Sequence, residues 1–177
     1  AIHPALDMNH RTLTQLRSLL RKSTPDLELG CLAMMVFSVP YEDMESVICR
    51  LNMNNTWTTV AQDVATIKKN FDRLKLQSIR PSEVHNILQT LNTVSIDACA
   101  LVVDNPSVRQ QLKLYRNKLK STQTILNGND LINLGVPDGP EVGAMLDKLL
   151  TARLDGLLSV REDEERLVSH SLQKDNL

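Results

Sequence analysis

Apolar residues recur along this chain with a helical period almost throughout. Leu13, Leu16, Leu19 and Leu20 fall on one face of a turn-by-turn repeat. Trp57, Val60, Ala61, Val64, Ile67, Phe71 and Leu74 mark one face of a single long helix. Pro81 suits a helical first turn and is followed by Glu83, then by Val84, Ile87, Leu88 and Leu91 on one side. Asn105-Pro106 ends one helix and begins the next. No segment alternates apolar and polar residues between hairpin turns, so no strand is expected. Pro25, Pro40, Pro81, Pro106 and the pair Pro137/Pro140 cut the chain into pieces of about 15–40 residues, each long enough for one or two helices. The pattern predicts an all-α fold of roughly nine helices, arranged as an irregular bundle or an elongated right-angled stack. It divides into a helical part at residues 1–80 and a second at 81–177, the latter with a glycine-rich hairpin at 126–143. No fixed-period repeat points to a solenoid.

Composition narrows the class. The 42% of hydrophobic residues suffices for a packed core across 177 residues. Aromatics make up only 3%, fewer than a protein that stacks single-stranded bases would need. The three cysteines, Cys31, Cys49 and Cys99, are widely spaced and form no metal-ligand or disulfide pattern, which fits a reducing cytoplasm. The longest apolar run, around Cys31 to Val39, is too short for a bilayer, and no membrane partner is expected. No signal peptide opens the chain. It begins at Ala1 rather than Met, as expected of a piece cut from something longer.

The net charge of -1 excludes a uniformly basic nucleic-acid coat, but the charge is unevenly placed. Residues 1–120 hold 15 basic and 11 acidic residues; residues 121–177 hold 5 and 10. Between Asp104 and Asp130 lie Arg109, Lys113, Arg116, Lys118 and Lys120 and no acid. Two looser basic groups are Lys68, Lys69, Arg73, Lys75 and Arg80, and Arg11, Arg17, Arg21 and Lys22. A polyanion would be drawn to the middle of the chain and repelled by Glu162-Asp163-Glu164-Glu165 near its end.

The stretch from Pro106 to Ser121 is the most informative for binding. Val108, Leu112, Tyr115 and Leu119 share one helical face; Arg109, Lys113, Arg116 and Lys120 repeat the spacing one residue later, about 100° around the axis. A basic stripe therefore runs beside an apolar one, with Lys118 close by. It reads either as a rail for phosphates or as an ordinary solvated face whose long stems cover the core edge.

Four of the six glycines, Gly128, Gly135, Gly139 and Gly143, fall within 16 residues. Asp130 to Leu134 can form a short helix, Gly135 supplies a left-handed residue to end it, and Pro137-Asp138-Gly139 makes a tight turn. Pro140 opens a longer helix with Val142, Met145, Leu146, Leu149, Leu150 and Leu154 on its apolar face. Gly143, one turn in, is expected to let another backbone approach. Such a hairpin either offers backbone N–H groups to a phosphate or simply docks two helices; Glu141 in the first turn opposes a strongly anionic ligand.

The string Gly128-Asn-Asp-Leu-Ile-Asn-Leu-Gly135, followed by Pro137-Asp-Gly-Pro140, Val142-Gly143, Leu146 and Leu150, resembles the C-terminal signature of bacterial class II tRNA nucleotidyltransferases, the CCA-adding, A-adding and poly(A) polymerase-type enzymes. Leu154-Asp155-Gly156 and the acidic run from Arg161 fit its continuation. Arg80-Pro81-Ser82-Glu83 and Ile2-His3-Pro4-Ala5-Leu6 resemble upstream segments. The resemblance implies that residues 1–80 are body-like and 81–177 tail-like, and that tRNA or a similarly structured RNA is the partner. It also implies a catalytic head with an Asp-x-Asp pair holding Mg²⁺; this chain has no Asp-x-Asp, so no catalytic, metal or cofactor residue is carried over to it. Glu162-Asp163-Glu164-Glu165-Arg166 spells the family's nucleotide-selecting motif, but at the wrong end, and reads as a solvated acidic helix.

Nothing else forms a nucleophile–base pair. His3, His10, His85 and His170 lack partners at ligand spacing, and His85 reads as a surface or cap-edge residue. Cys31 and Cys99 read as small buried hydrophobes. Two functions remain: an RNA-binding helical region without its catalytic head, or a helical protein-interaction or structural domain, with a helix-hairpin-helix DNA-binding module as a variant. The stripe discriminates between them. Outward-facing cations favour RNA; pairing with Glu83 or Asp97 counts against it.

Overall fold

The computed structural model describes residues 10–20 and 26–175. The expectations placed on Ile2 to Leu6, His3, Arg21, Lys22 and Pro25 lie outside the described residues. All the regular structure described is helical: α1 (His10–Leu20), α2 (Leu27–Val36), α3 (Met44–Arg50), α4 (Asn55–Lys69), α5 (Phe71–Lys75), α6 (Pro81–Leu88), α7 (Thr93–Val102), α8 (Pro106–Asn117), α9 (Gly128–Asn133), α10 (Pro140–Leu154) and α11 (Arg161–Asp175), with single 3-10 turns at Tyr41–Asp43 and Leu119–Ser121. Among the described residues, nine of the eleven α-helices have seven residues or more, and there is no strand.

Asparagine sets several of the starts. The Asn54, Asn92 and Asn105 side chains accept from the backbone N–H groups of Trp57 (2.9 Å), Val94 (2.9 Å) and Val108 (3.1 Å), satisfying donors that have no partner within their helices. Pro81, Pro106 and Pro140 each occupy a first turn, where a missing N–H costs nothing. The long face from Trp57 to Leu74 is carried by two helices, not one: the chain breaks at Asn70, whose side chain donates to the Thr66 carbonyl at 2.9 Å, and restarts as α5. An amide that bonds its own helix's last turn competes with continuation.

Buried apolar side chains gather into two clusters. The first runs from Leu32 to Leu119 and takes in Leu154; it includes Leu74 and Val84, on either side of residue 80. In it α2 packs against α1, α4 and α7, and α7 against α8. The second, smaller cluster comprises Leu126, Leu131, Val136, Met145, Leu149, Ala152, Leu158 and Val168, from α9, α10, α11 and their connections. α10 serves both: Leu149 is in the second cluster, Leu154 in the first, and α10 packs on α6 as well as on α9 and α11. Asp155, just past its end, accepts from the Ser82 N–H at 2.8 Å and the Ser82 hydroxyl at 2.9 Å, tying α10 to the first turn of α6.

His85 corrects its sequence reading. It is 8% exposed and faces the Tyr115 ring at 5.9 Å, with Nδ1 buried and unpartnered among the described residues. Val84, His85 and Leu88 together make a buried face too wide for one of them to reach solvent.

Candidate nucleic-acid interface

The stripe is real at its start and broken at its end. α8 stops at Asn117; Lys118, at φ -133 and ψ -58, is not helical, and Leu119–Ser121 forms a 3-10 turn, so Lys120 is not in helical register with the others. Val108, Leu112, Tyr115 and Leu119 are buried as the pattern required.

The five cations divide into two kinds. Arg116 grips Asp97 of α7 with Nε at 2.6 Å and Nη2 at 2.9 Å, a two-point contact that holds the guanidinium above its ordinary pKa. Arg109 donates from Nη2 to the Val103 carbonyl at 2.6 Å and the Asp104 carbonyl at 3.4 Å, closing the turn between α7 and α8. Lys113, Lys118 and Lys120 are exposed, and their ammonium groups have no hydrogen bond or ion pair among the described residues. The Arg116–Asp97 pairing is the outcome that counts against a full phosphate rail; three free lysines remain.

In the hairpin, α9 ends at a left-handed Gly135 (φ 98), with Gly135 N–H donating to Ile132 and Val136 N–H to Leu131, each at 3.0 Å. Gly139 also has positive φ (134), and a Cβ there would sit 3.2 Å from Glu141 Oε2. Gly143 corrects its reading: nothing lies within 4 Å of a Cβ added to it, so no backbone approaches. Gly128 meets only the Val142 side chain, at 3.4 Å. The N-terminus of α9 is closed by Asn127 and Asp130, each accepting from the other's N–H, and Asp130 is further held by Arg161 at 3.0 Å. Acids thus stand at the first turns of both hairpin helices, in Asp130 and Glu141, where a phosphate would have to approach.

The acidic run near the end is not a solvated helix face throughout. Glu164 is wholly buried and accepts from Ile125 N–H (3.0 Å), Leu126 N–H (2.8 Å) and Arg153 Nη1 (3.0 Å). It pins the connection between the two clusters. The signal was present in the spacing: Glu164, Val168 and Ser171 share a face, and all three are buried. Asp163, in the first turn of α11, accepts from Ser159 N–H at 3.1 Å and binds Arg166 at 2.7 Å, so the Glu-Asp-x-x-Arg string closes a helix start and makes an ion pair.

In the basic group from Lys68 to Arg80, three of the five side chains are engaged. Lys68 donates to the Phe37 carbonyl at 2.9 Å and to the Val39 carbonyl, and burial pushes its ammonium below its ordinary pKa against the pull of Cys99 and Glu42. Arg73 and Arg80 both reach Glu83, at 3.6 and 2.9 Å. Cys99 is fully buried and its thiol pushed up by burial, while Cys31 is half-buried and raised likewise. Asp63, also buried, was missed by sequence reasoning: it accepts from Asn92 N–H at 2.9 Å and Ser95 Oγ at 2.8 Å, fixing the start of α7. Among the described residues no group of three or more His, Cys, Asp or Glu could hold a metal ion, and no helix is long and apolar enough to cross a membrane.

No protein-family model matches the chain, and no solved structure matches it. Among curated proteins, the A-adding tRNA nucleotidyltransferase of Geobacter sulfurreducens is 33% identical over 91 residues, which is 51% of this chain and 10% of that protein. The chain is related to that enzyme over half its own length and spans about a tenth of the enzyme's.

Proposed function

We propose that this chain is an RNA-binding helical region that positions tRNA or a similarly structured RNA for a nucleotidyltransferase of the A-adding, CCA-adding or poly(A) polymerase type, in the cytoplasm. The observation that carries the reading is the 33% identity over 91 residues to an enzyme that adds A to tRNA. The signature from Gly128 to Leu150 supports a tail-like role for residues 81–177, with 1–80 as body. Lys113, Lys118 and Lys120 are the contacts expected with phosphates, because they are exposed, unpaired among the described residues and free of acids in their stretch of sequence. Double-stranded RNA is read mainly by backbone and shape, so having few aromatics is no obstacle. Nucleotide transfer is not assigned to any residue here. Without an Asp-x-Asp pair, the chain's carboxylates do not fit the Mg²⁺ pair of that chemistry; the buried ones, Asp63 and Glu164, are taken up by backbone and side-chain donors.

A second reading, a domain that only packs helices or docks proteins, is favoured by Arg109 and Arg116, both spent on the protein itself. Fluorescence anisotropy with labelled tRNA across a salt series separates the two. Three released counterions predict a log–log slope of roughly -2 to -3 for the parent chain, and replacing Lys113, Lys118 and Lys120 with Gln should remove most of it. A parent that does not bind would leave the packing reading standing; a triple variant with the parent's affinity and slope would place the RNA contacts elsewhere than on these lysines.

A further inference from the structure

Between α1, α7 and α8 lies a shallow cleft of about 430 Å³, with Arg109, Lys113 and Arg116 on one wall and Gln15 and Asp97 among the residues facing them. Three cations share it with one carboxylate, so its local charge is positive. Arg109 is fixed in place by the Val103 carbonyl, and its Nε is buried with no partner among the described residues. Lys113, one turn on, is exposed and unpaired among the described residues. Arg116 is spoken for, among the described residues only by Asp97, and that pair faces water: the two side chains are 32% and 51% exposed. An exposed pair of this kind is weak enough to exchange. Its two-point geometry, Nε and Nη2 on two oxygens of one group, is also the geometry in which a guanidinium holds two oxygens of a phosphate.

We propose that this cleft is a seat for one phosphate group of a bound RNA strand, and that Asp97 occupies the seat in the free chain, giving up Arg116 when the phosphate arrives. The proposal rests on the RNA-binding reading and deepens it: Arg116 is a masked contact that the free chain does not display, and Asp97 sets the affinity by competing for it. Arg109 and Lys113 supply the charge that makes the exchange favourable for a phosphate over the single carboxylate of Asp97.

The test uses the whole chain in three forms, the parent, Asp97→Asn and Lys113→Gln, each checked for unchanged far-UV circular dichroism. With tRNA, Asp97→Asn should bind about two- to fivefold more tightly, on the scale of one exposed ion pair, with a salt slope steeper by up to about 0.9 because the seat then carries one more net positive charge. Lys113→Gln should move both quantities the other way. Titrations with adenosine monophosphate and with inorganic phosphate, followed by amide chemical shifts, should perturb residues 109–116 in the parent and perturb them at lower concentration in Asp97→Asn. If tRNA binds but neither substitution alters affinity or slope, the seat is overturned and the RNA reading stands on Lys118 and Lys120. If tRNA does not bind while both small phosphates shift residues 109–116, the seat is upheld as a phosphate site and the RNA reading fails. Should Asp97→Asn misfold, Lys113→Gln alone decides, since Lys113 is a surface side chain: unchanged affinity and slope overturn the proposal.

Discussion

The two core clusters use their carboxylates in opposite ways. In the first, Asp63 is buried with two hydrogen-bond donors and no cation, and burial pushes it above the ordinary carboxylate range despite the Asn92 N–H and the Ser95 hydroxyl. In the second, Asp130 lies below that range, held by the Asn127 N–H and then by Arg161; Asp163 is lowered by the Ser159 and Val160 N–H groups. A larger core can enclose a lone carboxylate to start one helix. A small one is assembled from charged contacts at its edges, and Glu164 with Arg153 is the most deeply set of them. The difference teaches that the buried carboxylate of the C-terminal third is held by a cation, Arg153, beside two N–H groups, whereas that of the first cluster is held by neutral donors.

The largest way to break that contrast is Glu164→Ala. It strands Arg153 and the N–H groups of Ile125 and Leu126, and breaking a buried pair in this manner costs about 3–5 kcal/mol. Urea unfolding should show the second cluster lost early, with amide protection falling first at residues 126–168. A single unshifted transition would mean that Glu164 is not what holds the connection.

Glycine positions sharpen it further. Gly135→Ala places a side chain at a left-handed φ of 98 and should cost roughly 1–2 kcal/mol. Gly143→Ala meets open space inside a helix and should stabilise by up to about 1 kcal/mol. Urea midpoints moving in opposite directions are the expected result; a loss at Gly143 would reinstate a close contact there.

The smallest effect comes from acid. A carboxylate with a lowered folded pKa contributes stability that is present above its unfolded pKa and is lost as pH falls through the folded one; that is Asp130 and Asp163. With a raised folded pKa the sign reverses: the folded state takes up the proton first, so Asp63's contribution grows as pH falls through its folded pKa and is lost as pH rises through it. Hydrogen exchange compared between neutral pH and the carboxylate range should therefore show protection falling at α9 to α11 before it falls at α4 and α7. Asp63→Asn should remove the acid gain of the first cluster and leave the second unchanged.

Much of this could be read from the chain. Asn105-Pro106 and Gly139-Pro140 announce two helix starts because an N-cap or a turn followed by proline has few other uses, and both stand where expected. Gly135 followed from the need for positive φ. The failures share one cause. A residue's type was allowed to decide its burial when its neighbours' spacing decided otherwise: His85 and Glu164 are polar yet lie on apolar faces, and Gly143 is small yet lies on an open one. The stripe on α8 was legible as a pattern of charge, and Glu83 and Asp97 as the acids to watch; that Asp97 takes Arg116 was not, since it lies 19 residues away in the chain and belongs to another helix.

The distribution of rings has an optical consequence. Trp57, Tyr41, Tyr115, Phe37 and Phe71 all precede residue 116, so the second cluster holds no chromophore beyond its peptide bonds. Tryptophan emission and near-ultraviolet dichroism see only the first cluster; the far-ultraviolet signal of α9 to α11 is the second's one native spectroscopic voice. A melt in which the two signals coincide therefore reports on the seam where α10 meets the first cluster, Leu154 and the clasp between Asp155 and Ser82 together, because a mechanical link there makes a silent third of the molecule unfold in step with the part that glows.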